Sequence, residues 1–169
     1  MSSCAAALMA AFIVMAGSSV SAAHAVPTHP PLRPTPAVSS GSCTFKKTEY
    51  VAANAFDEST SENFINLRDA GSITFTQNGT GCVAGTFFAN AGSAAAGDHI
   101  GLQVLLDGAA CSPLTNGYIF ADSDFSSHSA AFFCGAAVTP GTHTIQVQYH
   151  SGFGGNVQFF QRTLEVNHT

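Results

Sequence analysis

The sequence contains no tryptophan, and charged residues make up only 9% of its 169 residues. Five lysines and arginines face ten aspartates and glutamates, which gives a net charge of -5. Nucleic-acid binding needs a stripe of basic residues, and binding to anionic lipids needs a basic cluster. The composition therefore argues against both kinds of partner, and the polar surface must come mainly from Ser, Thr, Asn and Gln.

Motifs of common enzyme classes are also missing. The sequence has no Gly-x-Ser-x-Gly elbow, no His-Glu-x-x-His pair and no phosphate-binding loop. Ser151–Asn156 is rich in glycine, but the pattern places it between two strands, so we interpret it as a hairpin loop. The sequence therefore predicts a protein that is not an enzyme and that holds no cofactor.

A hydrophobic run near the N-terminus, Ala5–Ala16, is twelve residues long, which suits a signal peptide and is too short to span a bilayer. Ala23-His24-Ala25 fits the small-x-small pattern of a cleavage site, so we expect residues 1–25 to be a signal peptide. No Lys or Arg precedes Arg33, which leaves an uncleaved anchor as the alternative. We expect a secreted or periplasmic protein with no membrane attachment after cleavage.

The segment 26–42 contains five prolines, which fix the backbone and remove hydrogen-bond donors. We expect it to be an extended tether, which places the folded domain at residues 43–169.

Four cysteines follow the tether: Cys43, Cys82, Cys111 and Cys134. None has the Cys-x-x-Cys spacing of a zinc site, and an even number in an exported chain predicts disulfides. Four cysteines allow three pairings, and the sequence does not choose among them. We expect the sequential pairs, Cys43–Cys82 and Cys111–Cys134.

Short strand-like runs alternate with turn residues after Cys43, and no segment keeps a helical period over ten residues. Eight or nine strands spaced by about 8–12 residues predict an all-β fold, an antiparallel β-sandwich of the jelly-roll type. The clearest strand is His143–His150, in which Tyr149 should point inward and Gln148 outward.

Four local features carry further expectations. Asn78-Gly79 is the strongest hairpin signal, because a type I′ turn needs positive φ at both central residues. Cys82–Asn90 has the composition of a central strand covered on both faces, and the apolar phase changes near Phe159-Phe160, which predicts a β-bulge. A single helical turn is the most that Ala52–Glu58 would form.

The segment Pro140–Val166 resembles the closing hairpin of jelly-roll modules in exported bacterial proteins and phage tail appendages, and the architecture resembles the C1q/TNF-like jelly roll. This resemblance covers about a fifth of the mature chain and implies a fold but no functional residues. The matching residues are Gly141, Thr142, His143, Thr144, Arg162, Thr163, Leu164 and Val166.

Metal binding is not predicted. His143 and His150 lie seven apart on one strand, so they point to opposite faces and cannot share an ion. The oxygen-rich loop Asp122-Ser123-Asp124 leaves calcium as an alternative to an ordinary turn, in which Asp and Ser are more common.

Loops are the best candidates for binding, since both faces of most strands carry residues suited to burial. The stretches Asp122–Ser129 and Ser151–Asn156, with His150 beside the second, offer carboxylate, imidazole and apolar contacts, with His128 as one of the imidazoles. The candidate binding residues are Asp122, Asp124, His150 and Phe153. The leading hypothesis is an exported, non-catalytic binding or interaction module for carbohydrate or another surface ligand. The alternative is a structural subunit that self-associates in a homo-oligomer or surface assembly.

Overall fold

The computed structural model describes residues 43–95, 97–112, 118–120 and 126–169, which form β-strands joined by turns and loops. Within these ranges there is no helix, and so none that is long and apolar enough to cross a membrane. The strands are β1 (Lys47–Ala53), β2 (Asp57–Ser59), β3 (Ile65–Asn66), β4 (Ser72–Gln77), β5 (Gly81–Ser93), β6 (Ile100–Leu106), β7 (Ala109–Ala110), β8 (Tyr118–Phe120), β9 (Ser126–Val138), β10 (Gly141–Ser151) and β11 (Val157–His168).

The strands form two antiparallel sheets. Sheet A has the order β1-β11-β5-β9, and β2 pairs with the same edge of β11 as β1 does. In sheet B, β10 and β6 pair with each other at the centre. Strands β3 and β4 follow one another along the outer edge of β10, and β7 and β8 follow one another along the outer edge of β6. When β1 and β2, β3 and β4, and β7 and β8 are each counted as one broken strand, the eight positions follow the path of a jelly roll. The predicted fold class is confirmed.

The core lies between the two sheets and is built from alternate residues of each strand. Tyr149 is fully buried, as predicted, together with its neighbours on the same face of β10, Ile145 and Val147. Gln148 points to the opposite face, as predicted, but it is half-buried because amide side chains lie on both sides of it. The other large buried side chains include Phe75, Phe87, Ile100, Leu102, Phe132, Phe159 and Leu164.

The connections between strands correct two expectations. Asn78-Gly79 joins β4 of sheet B to β5 of sheet A, so it does not close a hairpin, and neither residue has positive φ. Ser151–Asn156 likewise passes from sheet B to sheet A and is not a hairpin loop, which also means that β10 and β11 do not pair. The two-residue hairpin lies at Asp107-Gly108, where φ is 51° and 85° and Leu106 pairs with Ala109. At Asn78-Gly79 the local sequence favours a hairpin turn, but packing places β4 and β5 in different sheets, so the hairpin does not form.

Three further details refine the sequence expectations. The sequence allowed at most one helical turn at Ala52–Glu58, and the structure has none there, since Asp57–Ser59 pairs with β11. Strand β5 is central, as expected, but its outer face is not covered, and Phe88 is 40% exposed. The predicted β-bulge exists but lies one residue later, at Gln161, where φ is 49° and the register with β5 shifts.

Both disulfides join the predicted partners, Cys43–Cys82 and Cys111–Cys134. The first ties the segment before β1 to the start of β5. The second ties the residue after β7, at the edge of sheet B, to β9 at the edge of sheet A. A cross-link between the two sheet edges limits their separation in the unfolded chain and so favours the folded state.

Candidate binding site

Three connections meet at one end of the sandwich. Strand register shows this, since Ile100 lies opposite Ser151, and Val157 lies opposite both Ser93 and Ser59. We call this the loop end. Its described residues are 60–64 between β2 and β3, 94–95 and 97–99 between β5 and β6, and 152–156 between β10 and β11.

Two more strands reach the loop end. Strand β8 ends at Phe120, opposite Ile100, and β9 begins at Ser126, opposite Ala91. The chain between them carries the candidate residues Asp122 and Asp124, which lie outside the described residues.

Asp98 holds two of these connections together. Its carboxylate is 4% exposed and accepts four hydrogen bonds: from Ser151 Oγ at 2.8 Å, Ser93 Oγ at 3.2 Å, and the backbone N–H groups of His99 at 2.7 Å and Phe153 at 2.9 Å. Burial alone would raise the pKa of the Asp98 carboxyl, but these hydrogen bonds outweigh burial and hold the pKa below its usual value. Asp98 is therefore a buried anion that fixes the backbone on which Phe153 is carried.

Two glycines let the imidazole rings lie directly on the backbone. A Cβ atom on Gly101 would collide with the ring of His150, and one on Gly152 would collide with the ring of His99. Neither glycine has positive φ, so close approach and not backbone conformation requires the missing side chain.

Four rings pack together above these glycines, and we call them the ring cluster: Phe64, His99, His150 and Phe153. The His150 ring meets Phe64 edge to face at 4.5 Å between centroids, and His99 at 6.2 Å. His99 in turn meets Phe153 edge to face at 5.2 Å. Phe153 is 72% exposed, so its ring presents a phenyl surface to solvent that is supported from one side.

The structure brings together two of the four candidate binding residues. His150 and Phe153 belong to one cluster, but His99 lies between them and links them. Sequence reasoning missed His99 and Phe64 as partners. Their position next to strand ends could have indicated this, because the loops at one end of a sandwich lie close together even when they join different strands.

His143 serves a different purpose at the far end of the same strand. Its Nδ1 lies 2.6 Å from Asp107 Oδ2 and its Nε2 lies 2.9 Å from the carbonyl oxygen of Thr139. The Asp107 hydrogen bond raises the pKa of His143, because both ring nitrogens face acceptors. Nδ1 thus holds the β6–β7 turn and Nε2 holds the β9–β10 connection, so the imidazole has no free nitrogen to act as a base.

A second buried carboxylate, Asp57, ties the edge of sheet A to the core. Its oxygens accept from the guanidinium of Arg68 at 2.7 and 3.0 Å and from the Tyr149 hydroxyl at 3.3 Å. Burial, and then the charge of Asp57, raise the pKa of Tyr149. All these groups are paired in a structural network, which gives no sign of an activated acid or nucleophile.

A small polar cleft of about 200 Å³ lies at the opposite end of the sandwich, lined by Thr44, Lys46, Thr80, Gly81, Cys82, Ala136 and Thr169. It offers backbone, hydroxyl groups and one cation but no aromatic ring. Among the residues that the structure describes, no three His, Cys, Asp or Glu side chains are placed to hold a metal ion.

The outer face of sheet A carries exposed aromatic side chains as well. Tyr50 on β1 is 77% exposed, Phe133 on β9 is 38% exposed, and Phe88 lies between them on β5. Phe56, 57% exposed, stacks on Phe160 at 6.1 Å. These rings are spread over the face.

Comparison with known proteins adds little. No family model matches the sequence, and no curated protein matches it. Among solved structures, the CBM36-1 domain of a multidomain xylanase from the hindgut metagenome of Trinervitermes trinervoides is 10% identical, with 70% of this chain and 96% of that chain covered and a TM-score of 0.37. A family two carbohydrate esterase from Cellvibrio japonicus is 18% identical, with 73% and 34% covered and a TM-score of 0.27. The chain thus spans about a third of the esterase, and neither likeness is close enough to bear on function.

Proposed function

We propose that the protein is an exported, non-catalytic binding module that takes a carbohydrate at the loop end. The observation that carries this proposal is the anchored, exposed ring of Phe153. Its backbone N–H is bonded to the buried carboxylate of Asp98, and its ring is held edge-on by His99. A ring that is both exposed and held in place costs little conformational entropy on binding, which is typical of interaction hot spots.

A sugar fits the chemistry of this cluster. One face of a pyranose ring presents C–H groups that can pack on the Phe153 ring, and its hydroxyl groups both donate and accept hydrogen bonds. His99, about one-third exposed or less, places its imidazole beside that ring, and His150, in the same exposure range, lies next to His99. An imidazole can donate from one nitrogen and accept at the other, so it suits a hydroxyl group. In His150, Nδ1 already lies 2.9 Å from the carbonyl oxygen of Ser151, which leaves Nε2 for a ligand.

Asp122 and Asp124 belong to this proposal as further ligand contacts. The strands on either side of them, β8 and β9, both reach the loop end. Carboxylates are strong acceptors for sugar hydroxyl groups.

An exported location is part of the same proposal. Residues 1–25 are proposed as a cleaved signal peptide, and disulfides such as Cys43–Cys82 and Cys111–Cys134 form and persist in oxidising compartments. The absence of a catalytic role is supported by the His143–Asp107 and Asp57–Arg68 contacts, since each of these groups is engaged in holding the fold.

The second candidate is a structural subunit that assembles through the outer face of sheet A. The exposed rings of Tyr50, Phe88 and Phe133 favour it, because exposed aromatic groups on one face are typical of interaction surfaces. The binding module requires Phe153 at the loop end, and the structural subunit requires rings such as Tyr50 on sheet A. Substituting each residue in turn therefore distinguishes the two candidates.

The test is a binding assay on insoluble neutral polysaccharides (cellulose, xylan and mannan) with the mature protein. We expect Phe153→Ala to weaken binding at least tenfold, a loss of about 1.4 kcal/mol, and to leave the unfolding midpoint unchanged. Tyr50→Ala is the matched control, a similarly exposed ring on the outer face of sheet A, and should bind as the wild type does.

Size-exclusion chromatography of the same proteins gives the opposite readout. A wild type that binds none of the polysaccharides but elutes as an oligomer, which Tyr50→Ala dissociates, would replace the binding module with the structural subunit.

A further inference from the structure

The outer face of sheet B carries no charged side chain on its described strands. The outward positions alternate with the buried ones on β3, β4, β6, β7 and β10, and none of them is Asp, Glu, Lys or Arg. They are Asn66, Ser72, Thr74, Thr76, Gly101, Gln103, Leu105, Ala110, Thr142, Thr144, Gln146, Gln148 and His150. Hydroxyl and amide groups therefore supply the polarity of this face.

Three amides form a ladder across the middle of this face. Gln103 Nε2 on β6 donates to Gln148 Oε1 on β10 at 2.7 Å, and Gln148 Nε2 donates to Asn66 Oδ1 on β3 at 2.8 Å. The three residues are direct cross-strand neighbours. Among the described residues, Gln103 Oε1 and Asn66 Nδ2 have no partner, so the ladder ends in one free acceptor and one free donor.

The amide ladder is continuous with the ring cluster. The next outward residue after Gln148 on β10 is His150, and the residue opposite it on β6 is Gly101, two after which comes Gln103. Alternate residues on a strand are separated by about 7 Å, so the ladder and the imidazole ring lie in adjacent rows. Because Gly101 has no side chain, the His150 ring of β10 lies directly over β6, in the row next to the ladder.

We infer that the binding site extends from Phe153 along the outer face of sheet B, and that its ligand is a linear, uncharged polysaccharide. This inference rests on the proposed function and deepens it, because it names the ligand class and assigns Gln103, Gln148 and Asn66 to the same site. One sugar packs on Phe153, and the following sugars cross the His150 row and reach the amide ladder.

The chemistry of the face selects an uncharged chain. Each sugar in a neutral polysaccharide presents hydroxyl groups that donate and accept hydrogen bonds. The amide and hydroxyl side chains of this face also carry both donors and acceptors, so they match those groups. An acidic polysaccharide would need Arg or Lys on the face, and none is present at its outward positions. A single sugar would fill only one row, so the second row implies a chain.

Sheet A offers no equivalent row of three amides. Asn167 Nδ2 donates to Glu165 at 2.8 Å, and Gln158 Nε2 donates to Glu58 at 3.0 Å. Asn90 Nδ2 donates to Gln161 Oε1 at the β-bulge, and Asn90 Oδ1 accepts from Ser127, which makes a single amide pair. Hydrogen bonds to a carboxylate are stronger than those between neutral groups, so a sugar would have to compete with these charges. Within the described part of the chain, the three ladder amides of sheet B are bonded only to one another.

The experiment is isothermal titration of the mature protein with cello-, xylo- and manno-oligosaccharides of two and six sugars, and with oligogalacturonate as the acidic comparison. We expect at least one neutral hexasaccharide to bind tenfold or more tightly than its disaccharide. Gln103→Ala combined with Gln148→Ala should abolish that gain and leave disaccharide binding unchanged. Gln148→Glu keeps the side-chain length, removes the donor to Asn66 and places a carboxylate beside Asn66 Oδ1; it should reduce the gain while the protein still folds.

Asn90→Ala combined with Asn167→Ala removes two amides from the outer face of sheet A and is the matched control, which should titrate as the wild type does. Equal affinity for two and six sugars, or an unchanged gain in the folded Gln103 and Gln148 variants, would overturn the inference and leave the binding module standing. Preference for oligogalacturonate would overturn it as well. A wild type that binds no oligosaccharide would overturn both proposals.

Discussion

Tyr149→Ala is expected to lower the free energy of unfolding by about 3–5 kcal/mol, the range measured for loss of a buried aromatic ring. Tyr149 is fully buried at the centre of β10, and its ring packs against Phe159 of the opposite sheet with 4.9 Å between centroids. The substitution leaves a cavity between the sheets, and it also removes the hydroxyl that donates to Asp57 at 3.3 Å. A domain of this size is stabilised by about 5–15 kcal/mol, so the variant should be close to unfolding at physiological temperature.

Two matched variants separate packing from hydrogen bonding. Tyr149→Phe keeps the ring and should cost about 1.5 kcal/mol, the lower end for a hydrogen bond to a charged group, because this bond is long at 3.3 Å. Gln148→Ala, the neighbouring residue on the opposite face, should cost about 1 kcal/mol or less, because both of its hydrogen bonds are at the surface. Urea denaturation followed by near-ultraviolet circular dichroism measures all three; equal midpoints for Tyr149→Ala and Gln148→Ala would show that the strand register is wrong.

Asp98→Ala is expected to destabilise the protein by about 3 kcal/mol and to abolish ligand binding as well. It leaves two serine hydroxyls and the backbone N–H groups of His99 and Phe153 without their acceptor. Since one of these N–H groups belongs to Phe153, the connection 152–156 should lose its fixed position along with the exposed ring. Asp98→Asn keeps an acceptor oxygen and should fall between the wild type and Asp98→Ala.

The pH dependence of stability gives an independent check on Asp98. Its pKa is lowered in the folded protein, so the ionised carboxylate stabilises the fold above the unfolded-state pKa of about 4. This contribution is lost as the pH falls through the folded-state pKa. The stability difference between wild type and Asp98→Asn, measured by denaturant titration, should therefore be largest near neutral pH and shrink in acid; a constant difference would show that the charge is unimportant.

Much of the fold follows from period-two patterning. The alternation in His143–His150 correctly predicts which face of β10 is buried, and the even number of cysteines correctly predicts two disulfides. The pattern does not predict to which of the two sheets each strand belongs. Asn78-Gly79 has the composition of a hairpin turn, yet β4 and β5 lie in different sheets, because a jelly roll alternates its strands between layers.

The candidate site was only partly predictable for the same reason. His150 is near the end of β10, and Phe153 follows three residues later in the connection to β11. Their proximity could therefore be expected from the sequence. His99 and Phe64 come from connections more than thirty residues away, and only the convergence of loops at one end of the sandwich brings them into the cluster. The amide ladder depends on cross-strand register among β3, β6 and β10, which residue spacing along one strand does not encode.

The most direct test of the central claim is a map of amide chemical shifts of the ¹⁵N-labelled mature protein, titrated with the neutral hexasaccharide that binds most tightly. We predict that the shifted amides lie at the loop end, around His99 and Phe153, and continue along the outer face of sheet B to Gln148 and Gln103. Shifts concentrated instead around Tyr50 and Phe88 on sheet A, or no shifts with any of the three neutral hexasaccharides, would contradict the account.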